Sequence, residues 1–383
     1  MKNYYTFILL LVFVATFGQA PAGYYTAATG TGYALKTQLK TIITTGHIDR
    51  GYGSGTSQTN NGLWSGYGTT DRDNGVGYEN DNTILDIYSE NPTGPDPFNF
   101  NFNVAAGANA GQCGSYTGEG SCYNREHMIP QSYFGSAGIA RNDIQHVYPT
   151  DGKVNAIHDD WAFGRVDVAT YTSLNGCKVG SALNSGYSAG FSGTVFEPIN
   201  EFKGDVARVY LYFATRYEDQ MPTNYSTYTT VDARVMFDGS ANKVFSTTFL
   251  NILLTWNAMD PVSVKEINRN NAAFIHQGNR NPFIDNNSYV TTIWGLPLNI
   301  NSYDLSTAVS VYPNPSTDSK INIKTDAVLE EINLININGQ LIQVVKNPTA
   351  NNSTYTLENL PNGFYFLQLK SENQSVTKKV IVN

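Results

Sequence analysis

Apolar residues recur at helical spacing over 205–218, where Val206, Val209, Tyr210, Phe213 and Tyr217 fall on one face and predict a helix. A second is expected over 247–258 from Phe249, Leu250, Leu253 and Trp256. Asp260-Pro261 ends it and starts a third, about 261–276, which stops near Gly278. Earlier in the chain, residues 21–120 carry turn clusters such as Gly51–Gly55 and Asn91–Pro97, which predict short helices among long loops. Glu126–Ile129 and Ile144–Tyr148 read as two short strands. Thr150 is placed to cap a helix running to about Asp159, with Asp151 in its first turn. After residue 305 short alternating runs take over: Val309–Tyr312, Ile321–Lys324, Ile332–Ile337, Gln340–Val345, Tyr355–Leu357, Phe364–Leu369 and Val376–Val382. Asn338-Gly339 predicts a type I′ hairpin, and Pro361-Asn362-Gly363 a further turn. The expected architecture is α+β: a mixed, helix-rich body over 21–298, a linker at 299–306 and a small all-β sandwich over 307–383.

The one long apolar run, Phe7–Phe17, is shorter than the roughly 20 residues of a membrane span. It follows Lys2 and precedes Gly18 and Ala20, the order of an export signal, expected over residues 1–20. No transmembrane segment is expected. Charged residues make up 15% of the 383, below the average of about 25%, while 25 Tyr and 19 Phe supply core area, which excludes disorder over most of the length. The net charge is −8, and the acid excess lies in the body and not in the tail. Such a body does not coat nucleic acid by bulk electrostatics, although it is compatible with an enzyme that touches a few phosphates and meets the rest with a cation. In an oxidising compartment a Cys113–Cys122 bridge is the simplest pairing, leaving Cys177 over. The absence of a CxxC pair disfavours a cysteine zinc site.

Candidate chemistry concentrates in Asn124–Gly164. Two strands and a helix there bring Glu126, His127 and Asn155 within reach of one another. A carboxylate and an amide oxygen are hard ligands suited to Mg²⁺ or Ca²⁺. A neighbouring histidine, with an ordinary pKa of about 6.5, serves as a neutral base near pH 7. Together they suit hydrolysis of a phosphodiester. In a regular strand, however, Glu126 and His127 point to opposite faces, so joint action requires a bulge or a site at the strand edge. Asn155 is a poor mid-helix choice on propensity, which favours a ligand role. His146 either supports the site from behind or bonds within the second strand. Arg208 and Arg216, eight apart on one helix with Glu218 nearby, read as an internal ion-pair network, and Trp161 and Phe163 as packing beneath the helix. His47, His158 and His276 belong to no constellation.

The run from Arg125-Glu126-His127 through Asp151-Gly152-Lys153-Val154-Asn155 to Phe163-Gly164 resembles the endonuclease I family of secreted bacterial nucleases, whose active site is a ββα-metal motif. The resemblance continues in Lys203-Gly204-Asp205-Val206-Ala207-Arg208, in Arg216-Tyr217-Glu218 and in Gln277-Gly278-Asn279-Arg280-Asn281-Pro282-Phe283-Ile284-Asp285, and so covers most of 30–295. It implies His127 as general base and Glu126 and Asn155 as ligands of Mg²⁺, with Ca²⁺ or Mn²⁺ as alternatives. It also implies hydrolysis of DNA, RNA or both with little sequence preference, leaving a 5′-phosphate. Where the family commonly has Arg-Ser-Asn after the helix asparagine, this chain has His158-Asp159-Asp160, which weakens phosphate attraction locally. Arg141 and Arg165 flank the motif and are candidates to offset this by contacting phosphate. The tail, with Val311-Tyr312-Pro313-Asn314-Pro315 and the terminal Lys378-Lys379-Val380-Ile381-Val382-Asn383, resembles a type IX secretion sorting domain. That implies export through the periplasm, with type IX machinery as partner, to the medium or the cell surface. The departure and the acidic body also motivate an alternative, a secreted surface binding protein on an inactive nuclease scaffold.

Overall fold

The computed structural model describes residues 20–54, 61–74, 79–92, 94–102, 111–113, 116–297, 309–325, 327–351, 353–371 and 374–383. The expected export signal, apart from Ala20, and the expected linker lie outside them. Two early helices, α1 (Gly32–Thr44) and α2 (Leu63–Thr70), stand among loops, as the turn-rich sequence predicts. Next come β1 (Tyr123–His127), a one-turn helix α3 (Ile139–Asn142), β2 (Val147–Asp151) and α4 (Gly152–His158). The first strand therefore begins three residues earlier than the alternation suggests, and the second is displaced toward Asp151. The N-cap of α4 is Asp151, not Thr150: its carboxylate accepts from the backbone N–H groups of Lys153 and Val154 at 2.8 Å each.

Four strands, β3 (Ala162–Phe163), β4 (Val166–Thr172), β5 (Lys178–Ala182) and β6 (Thr194–Glu197), form a sheet in the order β3-β6-β5-β4. Sequence pattern did not anticipate this sheet. Its β4 edge is largely exposed and carries two register shifts, so the regular alternation of a half-buried strand is missing.

The helical half follows with α5 (Lys203–Arg216), α6 (Met221–Thr227), α7 (Thr247–Met259), α8 (Val264–Gln277), α9 (Pro282–Asp285) and α10 (Ser288–Trp294). α5 is buried around nearly its whole circumference and not on one face alone. Its Tyr210 and Phe213 share a core with Leu253 and Trp256 of α7, Leu39 of α1, and Phe163 and Phe196 of the sheet. Burial on that scale forces its cations to find partners. Arg208 makes a bidentate pair with Glu266, Nε–Oε1 at 2.5 Å and Nη2–Oε2 at 2.7 Å, and Arg216 lies 3.3 Å from Asp143. Both arginines are paired internally, as expected, but Glu218 pairs with Lys36 instead. Glu266 also completes a capping box with Ser263, so α8 starts after Ser263 and not at Pro261, and Gly278 ends it at φ +82°.

Among its described residues the tail has seven strands: β7 (Ser310–Tyr312), β8 (Ile321–Lys324), β9 (Glu331–Asn336), β10 (Leu341–Lys346), β11 (Thr354–Leu357), β12 (Gly363–Ser371) and β13 (Gln374–Val382). They form a four-stranded sheet, β10-β9-β12-β13, and a three-stranded sheet, β11-β8-β7, around one core of Ile321, Ile323, Leu334, Leu367, Leu369 and Val380. Each predicted strand is present within about two residues of its expected ends. The β9–β10 turn differs in type. Only Gly339 has positive φ there (+79°), and Gly339 N–H donates to Asn336 O at 3.0 Å. A type I′ turn needs positive φ at both central residues; this is a type I turn closed by a left-handed glycine.

Candidate active site

β1 pairs with β2 in unbroken antiparallel register, Glu126 opposite Tyr148 and His127 opposite Val147, with no bulge. Side chains therefore alternate. Arg125 and His127 share one face: the Arg125 guanidinium lies 3.4 Å from the Tyr52 ring centroid, and the His127 ring stacks on Tyr52 at 5.8 Å. Asn124 and Glu126 take the other face, toward α4. Asn155 Nδ2 donates to Asn124 Oδ1 at 2.6 Å, and one turn on, His158 Nδ1 meets Glu126 Oε1 at 2.6 Å. Helical neighbours three apart thus meet strand neighbours two apart, and this lays α4 across β1. No bulge turns them to one side: the carboxylate and the imidazole lie on opposite faces of the strand end.

Glu126 is 4% exposed, and its Oε1 also accepts from the Tyr88 hydroxyl at 2.9 Å. Tyr88 is held by Asp86, whose carboxylate accepts from the backbone N–H groups of both Tyr88 (2.8 Å) and Asp151 (2.7 Å). One acid therefore fastens the Tyr88 segment to the N-terminus of α4. Glu126 Oε2 and the Asn155 amide oxygen carry no hydrogen bond among the described residues. Two hard oxygens left open on adjacent elements fit Mg²⁺ or Ca²⁺. Gly152 permits this packing: a Cβ there would stand 2.3 Å from Cys113 Sγ, in the Cys113–Cys122 disulfide that joins the strand's start to the preceding loop. Cys177 is free and buried, as expected.

His127 Nε2 lies 3.1 Å from the Arg141 carbonyl. A carbonyl only accepts, so Nε2 carries the proton and Nδ1 keeps a lone pair, free of any hydrogen bond among the described residues. Burial, with His146 and the nearby guanidinium groups adding to it, pushes the His127 pKa down to about 3. The ring is neutral at pH 7. His146 is fully buried behind it at 5.9 Å between ring centroids, with Nε2 2.5 Å from Ala140 O, and burial pushes its pKa to about 4. His146 therefore packs beneath the site and bonds within its own segment, without reaching Glu126 or Asn155 in any described contact.

The Arg141 guanidinium sits 3.7 Å from the Tyr52 centroid, which places Tyr52 between two cations. Arg141 Nε is buried with no hydrogen-bond partner, and no described acid pairs with it. Arg165 lies instead against Tyr187 and the Ser185 carbonyl. The distant motifs hold up this loop. Tyr212 and Tyr217 hydroxyls each donate to Asp143 Oδ2 at 2.7 Å, and Gln277 Nε2 donates to Oδ1 at 2.6 Å. Burial would raise the Asp143 pKa, but Arg216 and the two nearby histidines outweigh it and hold the group ionised. Asp143 in turn anchors the segment between Arg141 and His146. Sequence reasoning missed Tyr52, Tyr88, Asn124 and His158. Of these only His158 had a readable signal, its i+3 spacing from Asn155.

The sequence of 31–288 matches the family model for endonuclease I, and 310–383 matches that for the secretion system C-terminal sorting domain. Those two matches define an exported nuclease with a sorting tail. An extracellular ribonuclease of Bacillus amyloliquefaciens is 31% identical over 277 residues, covering 71% of this chain and 78% of the relative. One of Bacillus subtilis (strain 168) is 29% identical over the same length and shares. Among solved structures, that of PorZ, a surface component of the Porphyromonas gingivalis type IX secretion system, matches 22% of this chain and 12% of its own at 16% identity. Its TM-score of 0.18 carries no argument. The chain belongs to the endonuclease I family. No described helix is long and apolar enough to cross a membrane.

Proposed function

We propose that this site hydrolyses phosphodiester bonds in RNA and DNA with little sequence preference, with His127 as general base and Glu126 and Asn155 holding a divalent cation. The observation that supports it most is the fixed tautomer of His127, with Nδ1 free among the described residues and with Arg141, whose Nε is an orphaned donor, packed on the same Tyr52 ring. Nδ1 takes a proton from a water molecule, the water oxygen attacks phosphorus, and the bond to the 3′-oxygen breaks, that oxygen taking a proton from solvent and leaving a 5′-phosphate on the other fragment. A base with a pKa near 3 is fully populated at pH 7 but weak, and an arriving phosphate anion raises it toward an effective range. Arg141 orients the phosphate and satisfies its Nε in doing so. Arg165, between β3 and β4, is the second candidate for a phosphate contact. A divalent cation on Glu126 and Asn155, Mg²⁺ with Ca²⁺ or Mn²⁺ also compatible, supplies positive charge at the scissile phosphate and leaving oxygen. The extracellular ribonucleases named above make RNA a substrate to test first, and no described side chain is dedicated to a 2′-hydroxyl.

The test incubates the exported protein with plasmid DNA and with structured RNA in EDTA, Mg²⁺, Ca²⁺ or Mn²⁺, beside His127→Ala. Cleavage restored by metal and reduced roughly 10²–10⁴-fold in the variant is expected. Turnover near wild type in His127→Ala removes the base assignment. Full activity in EDTA removes the metal.

A further inference from the structure

The geometry points to a calcium site formed by Glu79, Glu90 and Asp96, separate from the nuclease centre. One carboxylate oxygen from each of the three lies within 4.8 Å of the others. Glu90 is only 1% exposed, and neither of its carboxylate oxygens has a hydrogen-bond partner among the described residues. An orphaned buried carboxylate is costly, and it is aimed here at two more acids. Asp96 is half-buried and spends Oδ1 on the Asn91 backbone N–H (2.6 Å), while Glu79 is exposed and opens the cluster to solvent. The charged groups that bear most on Glu90 are Asp96, Glu79 and Asp73, all acids, and Asp73 is itself paired with Lys265. Burial and this repulsion push the Glu90 pKa up to about 9 and that of Asp96 to about 7.

Two arrangements relieve such a cluster: a shared proton or a bound cation. Three carboxylates on an irregular loop suit Ca²⁺, which takes six to eight oxygens at flexible geometry, better than Mg²⁺, which keeps most of its water. An exported protein meets Ca²⁺ at concentrations where extracellular sites with Kd of about 10⁻⁴–10⁻³ M fill. The segment has a structural use for it. Glu90 stands two residues from Tyr88, whose hydroxyl holds Glu126, and the Glu90 carbonyl accepts from Asn175 Nδ2. Calcium here fastens the loop that carries Tyr88.

Titration of the full chain with CaCl₂ by calorimetry, in a Glu126→Gln background that disables the nuclease centre, tests this without reference to catalysis. One Ca²⁺ per chain is expected, with at least tenfold weaker binding on adding Glu90→Gln or Asp96→Asn, and a Ca²⁺-induced rise in Tm that both substitutions abolish. In EDTA, Glu90→Gln should melt at or above the parent, because it replaces a buried carboxyl crowded by two more acids with a neutral amide. Should that variant not fold, Asp96→Asn and the exposed Glu79→Gln carry the same comparison. No calcium binding in Glu126→Gln, or affinity unchanged by these substitutions, overturns the site in favour of a shared proton.

Discussion

His158→Phe separates the positioning of Glu126 from the chemistry at His127. The His158 ring lies 4.6 Å from Phe163 and 4.5 Å from Phe196 between centroids, so a phenyl ring keeps the aromatic packing while removing the bond to Glu126 and the 3.1 Å contact of Nε2 with the Trp161 carbonyl. A hydrogen bond to a charged group contributes about 1.5–3 kcal/mol. At about 1.4 kcal/mol per tenfold, its loss corresponds to roughly 10–100-fold in whatever equilibrium depends on the orientation of that carboxylate. The same span is typical when a group that orients a metal ligand is removed. Mn²⁺ affinity, read by electron paramagnetic resonance, should therefore weaken 10–100-fold in His158→Phe. At saturating metal kcat should return to within a few-fold of wild type, which His127→Ala does not do at any concentration. Tyr88→Phe removes the other donor to the same oxygen, and because both act on one group the double variant should depart from additivity. Unchanged Mn²⁺ affinity in a His158→Phe protein of normal Tm refutes the positioning role. So does a kcat loss that metal fails to rescue.

Acid should weaken the fold through His146. The folded-state pKa of His146, about 4 against an unfolded value near 6.5, means that the unfolded chain alone takes up this proton between those pH values. Stability is then full above pH 6.5 and falls by about 2 kcal/mol by pH 5 and about 3 by pH 4. Urea midpoints at pH 7 and pH 5 should show a smaller pH dependence in His146→Gln, and equal slopes would reject the assignment. Glu266→Gln leaves Arg208 buried beside a neutral amide and should cost about 3–5 kcal/mol, a fall in Tm on the order of 10 °C by calorimetry. Gly152→Ala drives a methyl into the Cys113 sulfur and should cost about 1–3 kcal/mol, lowering both Tm and cleavage because the start of α4 carries Asn155.

Strands of the tail were legible because each is defined by its own alternation and its own flanking turn residues, and Val309–Val382 contains little else. The helices α5, α7 and α8 were legible for the same local reason, although α8 begins at the Ser263/Glu266 capping box and not at Pro261. The ordered motifs around Glu126, His127 and Asn155 were enough to indicate a nuclease family from the sequence alone. Tertiary structure decided what surrounds those residues. The partners of Glu126, Tyr88 and His158, lie 38 and 32 positions away, and no local period relates them. Whether His158 turns inward depends on the phase with which α4 crosses β1, which the Asn155–Asn124 bond and the lack of a Cβ at Gly152 set together. The His127 tautomer depends on a carbonyl in another loop, itself anchored by Asp143 through residues of α5 and α8. Local periodicity and turn chemistry reside in neighbouring residues and can be read along the chain. Hydrogen-bond partners and burial are set by contacts between distant segments, and they exist only once the chain has packed.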